Sequence, residues 1–130
     1  SGTFPDLYWW DTSKVTDMSF MFRDVENYSS WFTQNLNTSL VTTMEGMFSG
    51  YRAPFVNSDT LDLSNFDTAN VTNMNSFLRD VQDYDFVNLA NFNTEKVTDV
   101  TSMFEYSGFT RLDISHLNNI VCGTAGNAFR

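Results

Sequence analysis

The sequence predicts an α/β repeat solenoid of about five coils, with a parallel sheet on one face and short capped helices or turns on the other. Three observations predict it. One stretch is written four times, as WDTSKVTDM from Trp10, LNTSLVTTM from Leu36, FDTANVTNM from Phe66 and FNTEKVTDV from Phe92. The Val of each Val-Thr falls at Val15, Val41, Val71 and Val97, so the intervals are 26, 30 and 26 residues. A period of that size marks stacked units that cover one another's apolar faces. Finally, the apolar pattern changes period inside each unit, from two before the motif to about 3.6 after it.

The segment before each anchor alternates. Leu61-Asp62-Leu63 precedes Phe66, Val87-Asn88-Leu89 precedes Phe92, and Leu112-Asp113-Ile114 precedes Leu117. Such alternation reads as a short strand with the aliphatic residues inward. By register, Trp31 and Thr33 precede Leu36, and Pro5 and Leu7 precede Trp10, so the strand weakens toward the N-terminus. Pro5 suits an edge, since it has no N–H to donate. A fifth strand is expected at 111–115.

After the Val, residues Val71, Met74, Phe77 and Leu78 fall on one face of a short helix. Thr16, Thr42, Thr72 and Thr98 stand where an N-cap would, Thr42 with Glu45 has capping-box spacing, and Asp17 and Asp99 fall in the first turn. The four extra residues of the longer interval lie between Phe48 and Leu61, where Gly50 and Pro54 mark a loop. RDVENY at 23–28 matches RDVQDY at 79–84, an offset of two units. The chain thus reads as a single repeat domain over 1–130, with units starting near residues 4, 30, 60 and 86. A partial unit follows from 111, with a C-terminal cap. The opening Ser-Gly reads as a cloning scar, and the whole as a fragment of a longer protein.

Composition narrows function by exclusion. At 130 residues the chain can bury a core of its own, and its thirteen Phe must supply much of it. Sixteen acids against seven bases give a net charge of -9, which disfavours nucleic acid and anionic membrane as partners. No apolar run approaches the roughly 20 residues of a spanning helix, and no signal peptide is visible. Cys122 is alone, which removes an intrachain disulfide and a multi-cysteine metal site. The one histidine, His116, occupies the place of Asn35, Asn65 and Asn91 and reads as a turn residue. No nucleophile–base set, phosphate loop or metal-ligand spacing is present. The expectation is a protein that is not an enzyme and holds no cofactor or metal. Stacked Asn, Asp and Thr read as ladders that satisfy turn backbone groups, and the Met and Phe of the second half-unit read as core.

LDLSNFDTANVTNMNSFL, at 61–78, resembles the repeat of the BspA-like leucine-rich repeat surface proteins, whose 26-residue unit reads roughly LDLSNFDTSNVTNMSGMF. The resemblance runs from residue 4 to about 117. The family's common Gly-Cys after the Met-Phe pair is missing, replaced by Ser49-Gly50-Tyr51 and Glu105-Tyr106. It implies a leucine-rich-repeat-like solenoid that is extracellular, at a bacterial cell surface or cell wall, and works in adhesion.

Where the repeat does not need a residue inward, that residue is a candidate for binding. The outward strand positions form a column, of which Phe4, Asp6, Tyr8, Phe32, Gln34, Asp62, Phe86, Asn88, Arg111 and Asp113 are the expected partner-binding face. Aromatic anchors of this kind concentrate in protein interfaces. A second expected site is the insertion loop, with Tyr51, Arg52 and Phe55 exposed. The expected partner is a host surface or matrix protein, with a glycan as the other option. A structural stalk or spacer and a carbohydrate-binding module are the alternative functions.

Overall fold

The computed structural model describes residues 10–26, 30–53, 58–115 and 117, with backbone alone at 30–32 and 58–59. Equivalent residues of successive units lie side by side and run the same way. Asp17, Thr43, Asn73 and Asp99 form one row of parallel bridges. Strand β1 (Ser58–Asp62) pairs in parallel with β2 (Tyr84–Asn88), with Leu61 opposite Val87 and Asp62 opposite Asn88. Arg52 bridges Gln82, an offset of 30, whereas Ser58 pairs with Tyr84, an offset of 26. The four extra residues therefore lie between Arg52 and Ser58.

The alternation before the anchors places side chains as expected where strands form. Leu61, Leu63, Val87 and Leu89 are buried, while Thr60, Asp62, Phe86 and Asn88 are half-exposed. Pro5 and Leu7 lie outside the described residues. The segment Ser30–Asn35 is a 3-10 helix and not a strand. There the Thr33 hydroxyl donates to the Asp62 carbonyl at 2.8 Å, and one unit later the Leu63 amide makes the matching bond to Asn88. A side-chain donor that replaces the amide frees the backbone to turn. At 111–115 only a bridge from Phe86 to Arg111 forms, and Ile114 is exposed. Among the described residues no further unit covers it.

After each Val-Thr the helix expectation fails: the described residues contain no α-helix. Val71, Met74, Phe77 and Leu78 are buried on one side, as the spacing requires, but a run of overlapping turns puts them there. Odd-numbered amides bond locally, Phe77 to the Met74 carbonyl and Arg79 to that of Ser76, both at 3.2 Å. Even-numbered amides leave the unit, as Met74, Ser76, Leu78 and Asp80 donate to the carbonyls of Asp99, Thr101, Met103 and Glu105 at 2.8–2.9 Å. The same foursome joins Met18, Phe20, Phe22 and Asp24 to Thr43, Glu45, Met47 and Ser49, and recurs between the second and third units. An α-helix would direct those amides to carbonyls four residues back. The turns instead need left-handed residues at fixed places: Phe20 and Asp24, Gly46 and Gly50, Ser76 and Asp80, Ser102 and Tyr106 all have φ between 56° and 75°. Nor do the threonines cap helices. Thr42 donates through both its amide and its hydroxyl to the Thr16 carbonyl, and Thr72 and Thr98 repeat the bond to Thr42 and Thr72. Glu45 closes no capping box, because its amide is accepted by the Thr43 hydroxyl.

The interior is an aromatic and aliphatic column stitched by buried threonines. Phe66 stacks on Phe92 with centroids 6.2 Å apart and planes 9° apart, and Phe22, Phe48 and Phe77 continue the contacts. Offset and edge geometries of this kind suit ring quadrupoles. Thr12, Thr38, Thr68 and Thr94 are buried. The Thr68 hydroxyl donates to the Asn93 carbonyl at 3.0 Å and accepts the Asn93 amide at 2.7 Å. Thr12 brackets Asn37 and Thr38 brackets Asp67 in the same way.

Asp11, Asn37, Asp67 and Asn93 each accept the amide two residues on, as do Asp17, Asn73 and Asp99. These Asx turns are the polar ladder the sequence suggests, and Asp17 and Asp99 serve them and no helix dipole. Hydrogen bonds from the Ser13 hydroxyl and amide hold Asp11 below the usual carboxylate value, and those from Ser19 do the same for Asp17. At Asp99 burial pushes upward, but the amide and hydroxyl of Thr101 and the Asn75 amide outweigh it, leaving the group lowered.

Thr68→Val keeps the shape, strands one carbonyl and one amide of Asn93, and should cost about 1–3 kcal/mol in urea unfolding. Gly46→Ala should cost about 1 kcal/mol, since the added Cβ meets the Phe20 ring, which can swing aside, but the φ of 59° persists. Carboxylates lowered on folding add stability above the ordinary value of 3.8 and lose it as pH falls through their lower folded values. Urea unfolding at pH 5 and pH 3 should therefore show a smaller acid loss for Asp11→Asn, Asp17→Asn and Asp99→Asn combined, because Asn retains the turn acceptor.

Candidate partner-binding face

The outward strand column survives as a surface across three units. Thr60, Asp62 and Ser64 stand beside Phe86, Asn88 and Ala90, which stand beside Arg111, Asp113 and Ser115, with Thr60 opposite Phe86 and Phe86 opposite Arg111. Its polar side chains are partly engaged by the scaffold. Asp62, Asn88 and Asp113 each accept the amide two residues on at 3.0 Å, to Ser64, Ala90 and Ser115. Gln34 is exposed and donates to the Asp62 carbonyl at 3.3 Å, while Asn65 and Asn91 reach the Gln34 and Ser64 carbonyls.

Toward the last two units the face becomes concave. A cleft of about 300 Å³ is lined by Phe86, Asn88, Leu89, Ala90, Asp113 and Ser115. Beside it the Arg111 guanidinium lies 4.8 Å from the centroid of Phe86 and pairs with Asp85 at 3.4 Å, and Asp85 also binds the Thr110 hydroxyl. The cation fixes the ring from one side. An aromatic edge, an amide, a carboxylate and a hydroxyl therefore converge on one depression, chemistry that suits a polar chain with apolar patches.

The structure brings together Phe86, Asn88 and Asp113 of the expected face, with Arg111 adjoining, and sets Asp62 and Gln34 one and two units away. Phe4, Asp6, Tyr8 and the Phe32 side chain lie outside the described residues, as do Phe55, Cys122 and His116. The insertion-loop expectation is corrected at Tyr51. That ring is 0% exposed, set edge-on to Phe48 and stacked on Tyr84 at 6.1 Å. It holds the register position of Val81, one unit on, which is also buried. Arg52 is half-buried, pairing with Asp80 at 3.3 Å and donating to its carbonyl at 2.9 Å.

Sequence reasoning missed a second Arg–aromatic feature on the turn side. Arg79 lies 5.2 Å from the centroid of Tyr106, which is largely exposed, and pairs with Glu105 at 3.2 Å. Arg23 lies over Phe20 at 5.7 Å. The repeated Arg-Asp-Val at 23–25 and 79–81 was the available signal. Among the described residues no three His, Cys, Asp or Glu come close enough to hold a metal ion, and no helix is long and apolar enough to cross a membrane.

No curated protein and no solved structure matches the chain. Residues 2–117, which contain all four copies of the repeated motif, match the family described as "Mycoplasma protein of unknown function, DUF285", and the chain belongs to that family.

Proposed function

We propose that the chain is a leucine-rich-repeat-like solenoid of the BspA type, and a non-enzymatic recognition module of a bacterial surface protein that binds a protein partner through its outward strand face. Parallel units at intervals of 26 and 30 residues support the solenoid. The surface location and adhesive role rest on the resemblance of the repeat. The observation that carries the binding site is the cleft between units, where Phe86, Asn88 and Asp113 converge. Concave sites with an apolar wall and few placed polar groups are the usual form of a recognition site.

One observation favours a second reading, a stalk that only spaces other domains. Asp62, Asn88 and Asp113 each hold a turn, so polarity on this face has a use without any partner.

The test is a screen of the intact chain against host matrix proteins and a glycan array, with Phe86→Ala plus Asp113→Asn as the comparison. Asn at 113 keeps the turn acceptor, so the fold should survive. Loss of Phe86 and of the charge should weaken a matrix-protein partner by about tenfold or more. A partner that binds both proteins equally would place recognition elsewhere. Glycan hits alone would make this a carbohydrate-binding module, and silence in both screens would favour the stalk.

A further inference from the structure

Four copies of one Asx turn differ in their chemistry at two positions. Asp11, Asn37, Asp67 and Asn93 open the turn, and the amides of Ser13, Ser39, Ala69 and Glu95 close it. Only the second copy joins an amide side chain to a hydroxyl two residues on. Asn37-Thr38-Ser39 is therefore an Asn-x-Ser triplet of the kind that accepts an N-linked sugar. The Asn37 Oδ1 accepts the Ser39 amide at 3.0 Å and the Ser39 hydroxyl at 2.7 Å. Asn37 is exposed, and among the described residues its Nδ2 donates no hydrogen bond. The side chain is held by its oxygen and open at its nitrogen. A second triplet, Asn70-Val71-Thr72, shows the contrast. The Asn70 Nδ2 donates to the Ser39 carbonyl at 2.8 Å, its Oδ1 accepts from the Lys96 Nζ at 3.2 Å, and the Thr72 hydroxyl turns to the Thr42 carbonyl at 3.2 Å. Neighbouring units engage every group that the reaction needs there. The third triplet, Asn27-Tyr28-Ser29, lies outside the described residues.

We propose that Asn37 is a site of N-glycosylation, with a sugar pyrophosphate as donor and a separate transferase as catalyst. The Asn37 Nδ2 attacks the anomeric carbon of the sugar. A C–N bond forms as the C–O bond to the pyrophosphate breaks, and the pyrophosphate leaves on its carrier with the electron pair. The amide nitrogen gives up one proton to a base of the transferase. The Ser39 hydroxyl, donating to Oδ1, stabilises the negative charge that gathers on the amide as that proton leaves. Access is open, because the residues beside Asn37 in its row, Asp11 and Asp67, are exposed as well. An uncharged sugar adds bulk and solubility there without adding charge between two carboxylates.

The test is mass spectrometry of the protein recovered from its own cells. Trypsin cleavage after Arg23, Arg52 and Arg79 separates segment 24–52, which holds Asn27 and Asn37, from 53–79, which holds Asn70. Segment 24–52 should carry a sugar mass increment and 53–79 none. Asn37→Gln and Ser39→Ala should each lose the increment, and Ser39→Thr should keep it. Ser39→Ala retains the amide that closes the turn, so its loss reports the hydroxyl and not the fold. Growth with tunicamycin, which blocks assembly of lipid-linked sugars, identifies the carrier: the increment disappears if a lipid brings the pyrophosphate and persists if a nucleotide does. An unmodified wild type, an increment on 53–79, or one that survives Asn37→Gln or Ser39→Ala would each overturn the proposal.

Discussion

The alternate amides that leave each unit are the constraint on which this structure depends. Four of them cross each boundary at 2.8–3.1 Å, and every other feature of the unit follows from giving them a straight path. The chain must hold every fourth residue of the turn run in left-handed geometry, as at Ser76 and Asp80, so that one amide closes a local turn and the next crosses to the neighbouring unit. That geometry sends Met74, Phe77 and Leu78 into the core from a backbone that is not helical. A single such bond contributes only about 1 kcal/mol net, but the set fixes register. A slip of one residue would replace every lateral donor with one already committed to a local turn.

Register in turn explains the buried threonines. A hydroxyl can donate and accept at once, so Thr12, Thr38 and Thr68 each close two backbone groups of the next unit in the apolar interior. A valine there would fill the same space and leave both groups unpaired. The aromatic column beside them supplies shape and area, and the threonines make the spacing between units unique. The outward strand face is free to vary because nothing in this scheme depends on what its side chains carry beyond an acceptor at 62, 88 and 113.

Much of this was legible in the sequence, and the failures have physical causes. The unit intervals, the inward aliphatics of β1 and β2 and the core methionines follow directly from period, because burial must recur with the repeat. The helix expectation failed because apolar residues three and four apart look alike in a helix and in a run of turns. Only left-handed geometry separates the two. It shows openly at Gly46 and Gly50 but is hidden at Phe20, Ser76 and Ser102. Tyr51 was misplaced because the composition of its loop outweighed its register, which equates it with buried Val81. The strand expected around Trp31 failed because Thr33 donates through its hydroxyl, a substitution that alternation alone does not reveal. Of the candidate face, the positions were legible and the cleft was not. Concavity depends on how Phe86 leans toward Arg111, and side-chain spacing along one strand does not contain that.

The turn columns also distribute the chain's negative charge. Neighbouring units stand roughly 4.8 Å apart, a separation at which like charges directly opposite one another destabilise a sheet. The columns avoid it by alternation: Asp11, Asn37, Asp67, Asn93; Asp62, Asn88, Asp113; Asp24, Gly50, Asp80, Tyr106. In the fourth, Asp17 and Asp99 are separated by Thr43 and Asn73. Within these columns no carboxylate stands directly beside another, although Asp and Asn serve the turn equally well. The array can therefore be acidic overall while remaining electrostatically quiet along each row. Its tolerance of a new Asp in such a row is set by the residue one unit away, not by the turn in which it sits.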